Sequence, residues 1–291
     1  MTHLKSFVFP SGDMETDYLW KIDHTCYDSF YPFKIMSRIG LSRLDFEPVT
    51  ILYGGNGSGK STALNVIAEK TGVKRDSLYN RTNFYSDYVG MCEIPLLTDV
   101  PENSRIITSD DVFDHMLDVR SINEGIDNKR DDLFREHMEF TDKKSPKYYG
   151  LKLKSLNDYD EYKRVWSAKS KTQSHFVRSE LINNFREYSN GESAYKYFIE
   201  KIEENGLYLL DEPENSLSPK RQTELAKFIE ESARFFECQF IISTHSPFLL
   251  AMRTAKIYDL DANPAAIKRW TELPNIRVYY EFFKAHDKQF R

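Results

Sequence analysis

Apolar residues gather in unbroken runs near residue 50 and again beyond residue 205, with a sparser, helix-like rhythm between. The run "VTILY", residues 49–53, stops at Gly54 as a buried strand would. Towards the C-terminal end "GLYLLDEP", "CQFIISTH" and "AKIYDLD" have the same character. After the glycines at 54–59 the pattern turns helical, with Leu64, Ile67 and Ala68 on one face and Gly72 as a stop. The stretch "SPKRQTELAKFIEESARFF" predicts a second such helix. Ser218 can cap it, Pro219 suits its first turn, and Leu225, Phe228 and Ile229 share a face. Residues 33–53 read as short strands broken by Gly40 and Pro48, and residues 75–104 mostly as loop. "SRIITSDD" predicts a strand running into a helix near Asp111. From there to about residue 188 the pattern is helical and highly charged, interrupted at Pro146 and Gly150. Strands alternating with helices predict an α/β fold, a mostly parallel sheet flanked by helices, with the charged middle as an inserted helical lobe.

Composition narrows this picture. The 291 residues suit one large domain or two closely joined lobes, and 40% hydrophobic with 29% charged residues is a globular balance. A net charge of -5 gives no global basic field. The three cysteines, Cys26, Cys92 and Cys238, are scattered and form no CxxC, which fits a reducing compartment and points to a cytoplasmic protein. No N-terminal apolar core suggests a secretion signal, and no segment approaches the ~18 apolar residues of a membrane span.

Chemistry enters with "GGNGSGKST", residues 54–62: Gly54, Gly55, Asn56, Gly57, Ser58, Gly59, Lys60, Ser61 and Thr62. It contains GxxxxGK[ST] between an apolar strand and an amphipathic helix. Its glycines let backbone N–H groups turn inward around phosphate oxygens, Lys60 reaches the β- and γ-phosphates, and Ser61 offers a hydroxyl to Mg²⁺. The plain alternative is a glycine-rich tight turn. In "LYLLDEPEN", Asp211 ends a strand where it can hold the Mg²⁺ shell, and Glu212 can polarise an attacking water as general base. The alternative is an ordinary acidic turn. In "FIISTHSP", His245 follows the next strand and can contact the γ-phosphate or the water, or merely face solvent before a helix begun by Pro247. In "YSNGES", Ser189 and Glu192 have capping-box spacing, and Gly191 permits close approach. That is a helix start, or a second phosphate-binding surface supplied to another copy of the chain.

Taken in this order, the four motifs resemble those of the ATP-binding cassette superfamily, in its soluble branch of chromosome-maintenance, recombination-repair and small stand-alone bacterial ATPases. The resemblance implies a P-loop NTPase of ABC type with an N-terminal antiparallel β portion. Residues 1–108 and 189–291 would form the nucleotide-binding lobe and residues 109–188 the insertion. It further implies Lys60, Glu212 and His245 as catalytic, Ser61 and Asp211 as metal ligands, and Ser189, Gly191 and Glu192 as signature residues. ATP and Mg²⁺ are the implied cofactors. The implied assembly is a head-to-tail homodimer with each ATP between the P-loop of one copy and the signature helix of the other. Coupling to an effector protein or nucleic acid follows, with DNA maintenance or phage defence as associated roles. Three departures stand out. No glutamine lies between Ser61 and Lys171, so the Q-loop residue is missing, and Ser109, Asp110 or Asp111 is left to replace it or simply to cap a helix. Ser218 stands where the D-loop carries aspartate, and Asn190 replaces the first signature glycine. Tyr31, Phe33 and Phe46 are candidates to stack on adenine, or core residues.

The insertion is too short for long coiled-coil arms and lacks sustained heptads. From Lys143 to Arg178 ten Lys/Arg oppose three acids, interleaved with Tyr148, Tyr149, Tyr159, Tyr162 and Trp166. This pattern suits nucleic acid, or a solvated face that meets an acidic partner or nothing. The leading functional expectation is an Mg²⁺-dependent ATPase that dimerises on ATP. The alternatives are a slowly turning ATP-gated scaffold for a separate effector, a transporter's nucleotide-binding subunit and a P-loop kinase. The missing glutamine, Glu192 and the charged insertion argue against the transporter subunit.

Overall fold

The computed structural model describes residues 2–22, 27–95, 99–145, 159–181 and 190–290. They fall into two compact units, the first made of Met1–Asp114 with Ser189–Arg291 and the second of His115–Tyr188.

Unit 1 is built on a six-stranded sheet of order β4-β5-β6-β3-β7-β8, comprising β3 (Val49–Tyr53), β4 (Arg105–Thr108), β5 (Leu207–Asp211), β6 (Gln239–Ser243), β7 (Ala255–Asp259) and β8 (Ala266–Ile267). All pairings are parallel except β7 with β8. Continuous apolar sequence is what a strand covered on both faces requires, and β3 and β6 are buried at every position. A separate two-stranded antiparallel sheet pairs β1 (Ser6–Val8) with β2 (Arg43–Asp45), which gives the antiparallel N-terminal portion expected. Gln239, fully buried in β6, binds this N-terminal segment to the main sheet. Its side-chain oxygen accepts from the His3 and Leu4 amides at 2.8 Å each, and its nitrogen donates to Leu4 O at 2.8 Å. A buried amide is tolerated because its polar atoms are satisfied.

Around the sheet lie α1 (Gly12–Trp20), α2 (Lys60–Thr71), α3 (Tyr85–Met91), the start of α4 (Ser109–Thr141), α7 (Asn190–Lys201), α8 (Pro219–Phe235), the single turn α9 (Pro247–Leu250) and α10 (Pro274–Ala285). Gly72 ends α2 in the left-handed conformation, as its position predicts. Two local expectations fail. Residues 33–40 are consecutive turns rather than strand, yet Phe33 and Met36 still reach the core, because irregular turns bury the apolar residues that a two-residue period would have split between two faces. Ser218 occupies the N-cap of α8 without a side-chain capping bond, and Pro219 begins the helix.

Unit 2 holds the rest of α4 with α5 (Tyr159–Ser170) and α6 (Gln173–Glu180). Its core is small: Leu133, Phe140, Val165, Ala168, Phe176 and Val177. Pro146 and Gly150 lie outside the described residues. Among those described, no helix is long and apolar enough to cross a membrane, and Cys92 and Cys238 are buried free thiols.

Candidate active site

β3 delivers the chain into the glycine loop at the C-terminal edge of the sheet, where α/β folds gather ligands. Gly57 and Gly59 take φ of 81° and 94°, conformations that side chains resist. At Gly59 a Cβ would also stand 2.9 Å from Ile35 Cγ2. The loop then enters α2, whose first-turn amides have no carbonyl within the helix to bond. Lys60 is buried, and its ammonium donates to Gly54 O at 2.8 Å and Gly55 O at 3.2 Å, across the loop's own mouth.

The neighbouring strand ends bring the other groups alongside. The Ser61 hydroxyl donates to Asp211 Oδ1 at 3.0 Å, and the Ser243 hydroxyl donates to the same oxygen. Burial raises the Asp211 carboxyl pKa, opposed by these two hydrogen bonds. Glu212 sits at φ 48°, in the left-handed region that only a held residue keeps. What holds it is specific: its N–H donates to Ser243 O at 3.0 Å, and Asn215 Nδ2 donates to its Oε2 at 3.0 Å. Its Oε1 lies 3.7 Å from Lys60 Nζ and 3.6 Å from His245 Nε2. That His245 nitrogen is buried and has no hydrogen-bond partner among the described residues. Desolvation, then the Lys60 charge, lower the His245 pKa against the pull of Glu212 and Asp261, so the ring is neutral at pH 7. The structure therefore brings Lys60, Ser61, Asp211, Glu212 and His245 together.

Other expected residues lie elsewhere. Ser189 is outside the described residues. Gly191, at the start of α7, packs on the turn after Glu212, where a Cβ would stand 3.5 Å from Ser216 O and 3.6 Å from Ser218 N. Glu192 pairs with Arg221 at 3.0 Å. Among the described residues no hydrogen bond or ion pair joins Gly191 or Glu192 to the glycine loop. Phe33 and Phe46 are core residues, whereas Tyr31 donates from its hydroxyl to Thr62 Oγ1 at 3.2 Å, at the loop's edge. Asp111 is a helix-start residue: its Oδ2 accepts from the Thr108 amide at 2.7 Å and the Thr108 hydroxyl at 2.9 Å. Ser109 follows Thr108, which is in register with Asp211. In unit 2, Lys143, Lys144, Lys163, Lys169 and Arg178 are exposed, but Arg164 is bound by Glu136 at 2.7 Å. Across His115–Tyr188 fifteen Lys/Arg stand against thirteen Asp/Glu, so the basic run is largely balanced within its own unit. Lys147, Lys152, Lys154 and all four tyrosines of the run fall where no side chain is described.

One site residue escaped the sequence reading. Asp261, two residues past β7, accepts the Gly55 N–H with both carboxylate oxygens at 2.8 Å and so ties the glycine loop to the next strand. The only signal was a carboxylate just beyond a strand end, in "AKIYDLD".

This mostly parallel sheet, with a glycine loop after a central strand and an Asp-Glu pair at a nearby strand end, has the architecture of a P-loop NTPase. Residues 120–251 match the family described as "AAA domain, putative AbiEii toxin, Type IV TA system", a span that includes Asp211, Glu212 and His245 but not the glycine loop. No curated relative matches the chain. Among solved structures, the chain is similar to the Smc head domain of Pyrococcus furiosus bound to the C-terminal domain of ScpA (14% identity, 82% of this chain and 94% of that one, TM-score 0.41). It is also similar to a nucleotide-free ATP-binding cassette from an ABC transporter (16%, 82% and 90%, 0.38) and to the dimeric bacterial ABC transporter cassette MJ0796 (13%, 79% and 90%, 0.35).

Proposed function

We propose that the protein is an Mg²⁺-dependent ATPase that closes head to tail on ATP and passes that motion to a partner protein. The observation that carries this reading is the convergence on Glu212, whose carboxylate lies within 4 Å of both the Lys60 ammonium and the orphaned His245 Nε2. A buried polar atom without a protein partner calls for a ligand atom, and here it faces the space in front of the glycine loop's lysine. The hydroxyl of Ser61 and carboxylate of Asp211 are hard oxygen donors 3.0 Å apart, a pair suited to Mg²⁺. When bound, the ion neutralises charge on the β- and γ-phosphate oxygens.

The chain's own groups divide the remaining work. The glycine-loop amides and the start of α2 hold the phosphates, and Lys60 leaves its carbonyl partners for the γ-phosphate. Glu212 orients and deprotonates the attacking water. Neutral His245 donates one N–H to a γ-phosphate oxygen, which registers whether that group is present. The start of α7, with Gly191 and Glu192, serves the nucleotide of a second copy, and Ser189 of the sequence motif joins them.

The test is Glu212→Gln, which keeps the shape and removes the base. We expect turnover to fall at least about 100-fold and ATP to convert the variant into a dimer in light scattering. A variant that binds ATP and stays monomeric ends the head-to-tail reading. A second reading, an ATP-gated scaffold with slow turnover, draws support from the missing Q-loop glutamine and from Ser218 in place of the D-loop aspartate. Single-turnover hydrolysis separates the two.

A further inference from the structure

The turn after Glu212 and the loop that carries His245 are joined by two side chains that the chemistry above does not use. Glu214 reaches across so that its Oε1 accepts the amides of His245 at 2.6 Å and Ser246 at 3.2 Å. Its other oxygen is buried. Gln222, on the first turns of α8, makes a parallel tie. Its side-chain oxygen accepts from the Ser246 hydroxyl at 2.7 Å, while its nitrogen donates to Leu217 O at 2.8 Å. The Ser246 hydroxyl in turn caps α9 by accepting from the amides of Phe248 and Leu249. The Ser246 amide also donates to Thr244 Oγ1 at 3.0 Å, so the tie to Glu214 matters most for the His245 amide, which would otherwise be left to solvent.

We propose that Glu214, seconded by Gln222, is a positioning residue for hydrolysis: its carboxylate clamps the His245 backbone so that the imidazole stays beside Glu212. The inference rests on the ATPase reading and adds to it a residue outside the reacting groups. A carboxylate here is an expensive choice, since burial raises its pKa. The cost is offset by two backbone donors that converge on one oxygen, which no shorter side chain at this position spans. The effect expected is on turnover and not on ATP affinity, because neither Glu214 nor Gln222 touches the glycine loop among the described contacts.

Two readouts test this, ATP turnover with separate measurement of ATP affinity, and amide hydrogen exchange across residues 244–248 in the nucleotide-free protein. In Glu214→Ala, kcat should fall about 10–100-fold, the range typical when a supporting residue is removed, with the ATP Kd within about threefold of the parent. Exchange at His245 and Ser246 should rise at least about tenfold. Glu214→Gln keeps an acceptor oxygen and should recover kcat to within about threefold with slow exchange retained. Gln222→Ala, a change on the surface of α8, should lower kcat by about threefold at unchanged Kd. The proposal is overturned if Glu214→Ala loosens exchange yet keeps kcat, if Gln is as slow as Ala, or if Kd rises in step with the loss of kcat. A parent protein without ATP turnover refutes the ATPase reading itself, and the positioning role falls with it.

Discussion

Units 1 and 2 obtain order in different ways. In unit 1, β3 is buried along its whole length between β6 and β7, and every candidate reacting group sits near a strand end or at the start of the helix that follows the glycine loop. Among the described residues of unit 2, six buried apolar residues on three helices form the core, and Leu117, Ile122, Met138 and Trp166 stay exposed among the charged side chains. A sheet edge fixes several side chains at once because the strands are locked in register by backbone hydrogen bonds. A small helical core fixes helices to each other but leaves most surface side chains free. The difference teaches where function can be read with confidence in geometry: at the sheet edge, where 3.0 Å between Ser61 and Asp211 bridges 150 positions of sequence.

The sharpest test of this contrast is a pair of substitutions. Lys60→Ala should abolish ATP binding and turnover, a loss of at least about 100-fold in turnover, without lowering the melting temperature of the nucleotide-free protein. Phe176→Ala, at the fully buried centre of the unit 2 core, should cost unit 2 about 3–5 kcal/mol and leave ATP affinity in unit 1 within about threefold. Calorimetric melting and ATP titration read both. Loss of ATP binding on Phe176→Ala would show that the units are not energetically separable.

An intermediate effect is expected at Asp261. Asp261→Ala leaves the Gly55 amide to water and frees the loop from β7, so ATP affinity should drop about tenfold, with Asp261→Asn between it and the parent. An unchanged Kd would mean that the tie is incidental. The smallest effect concerns stability and pH. Because the Glu214 pKa is raised in the fold, the folded state holds a proton more readily than the unfolded chain. Its stabilising share is present below the ordinary glutamate range and is lost as pH rises through the raised value. Glu214→Gln should therefore melt higher than the parent at pH 8, with the advantage shrinking as pH falls through the raised value and gone below about pH 4.3, the unfolded value. Melting curves across pH check the sign.

The strands of unit 1 and its glycine loop were legible because they are local patterns. "VTILY", "LYLLD" and "FIIS" are dominated by apolar residues, and a loop that must cradle phosphate needs its glycines within a few positions of one another. The strand ends Asp211 and Glu212 followed from the same pattern. The turns at 33–40 were misread as strand because aromatic and apolar residues there report burial without reporting period. Asp261 and Glu214 were passed over because carboxylates in loops are common, and nothing nearby in sequence says which amide each will bind.

Residue types and their order thus decided the sheet's strands, the glycine loop and the identities of Lys60, Ser61, Asp211, Glu212 and His245, since these depend on neighbours within a few positions. The folded chain alone decided that Asp261 holds Gly55, that Gln239 anchors the first strand's approach, and that Glu214 and Gln222 grip the His245 loop. Each of those is a hydrogen bond between groups brought within 3 Å by strand order, and strand order arises from the packing of the entire sheet.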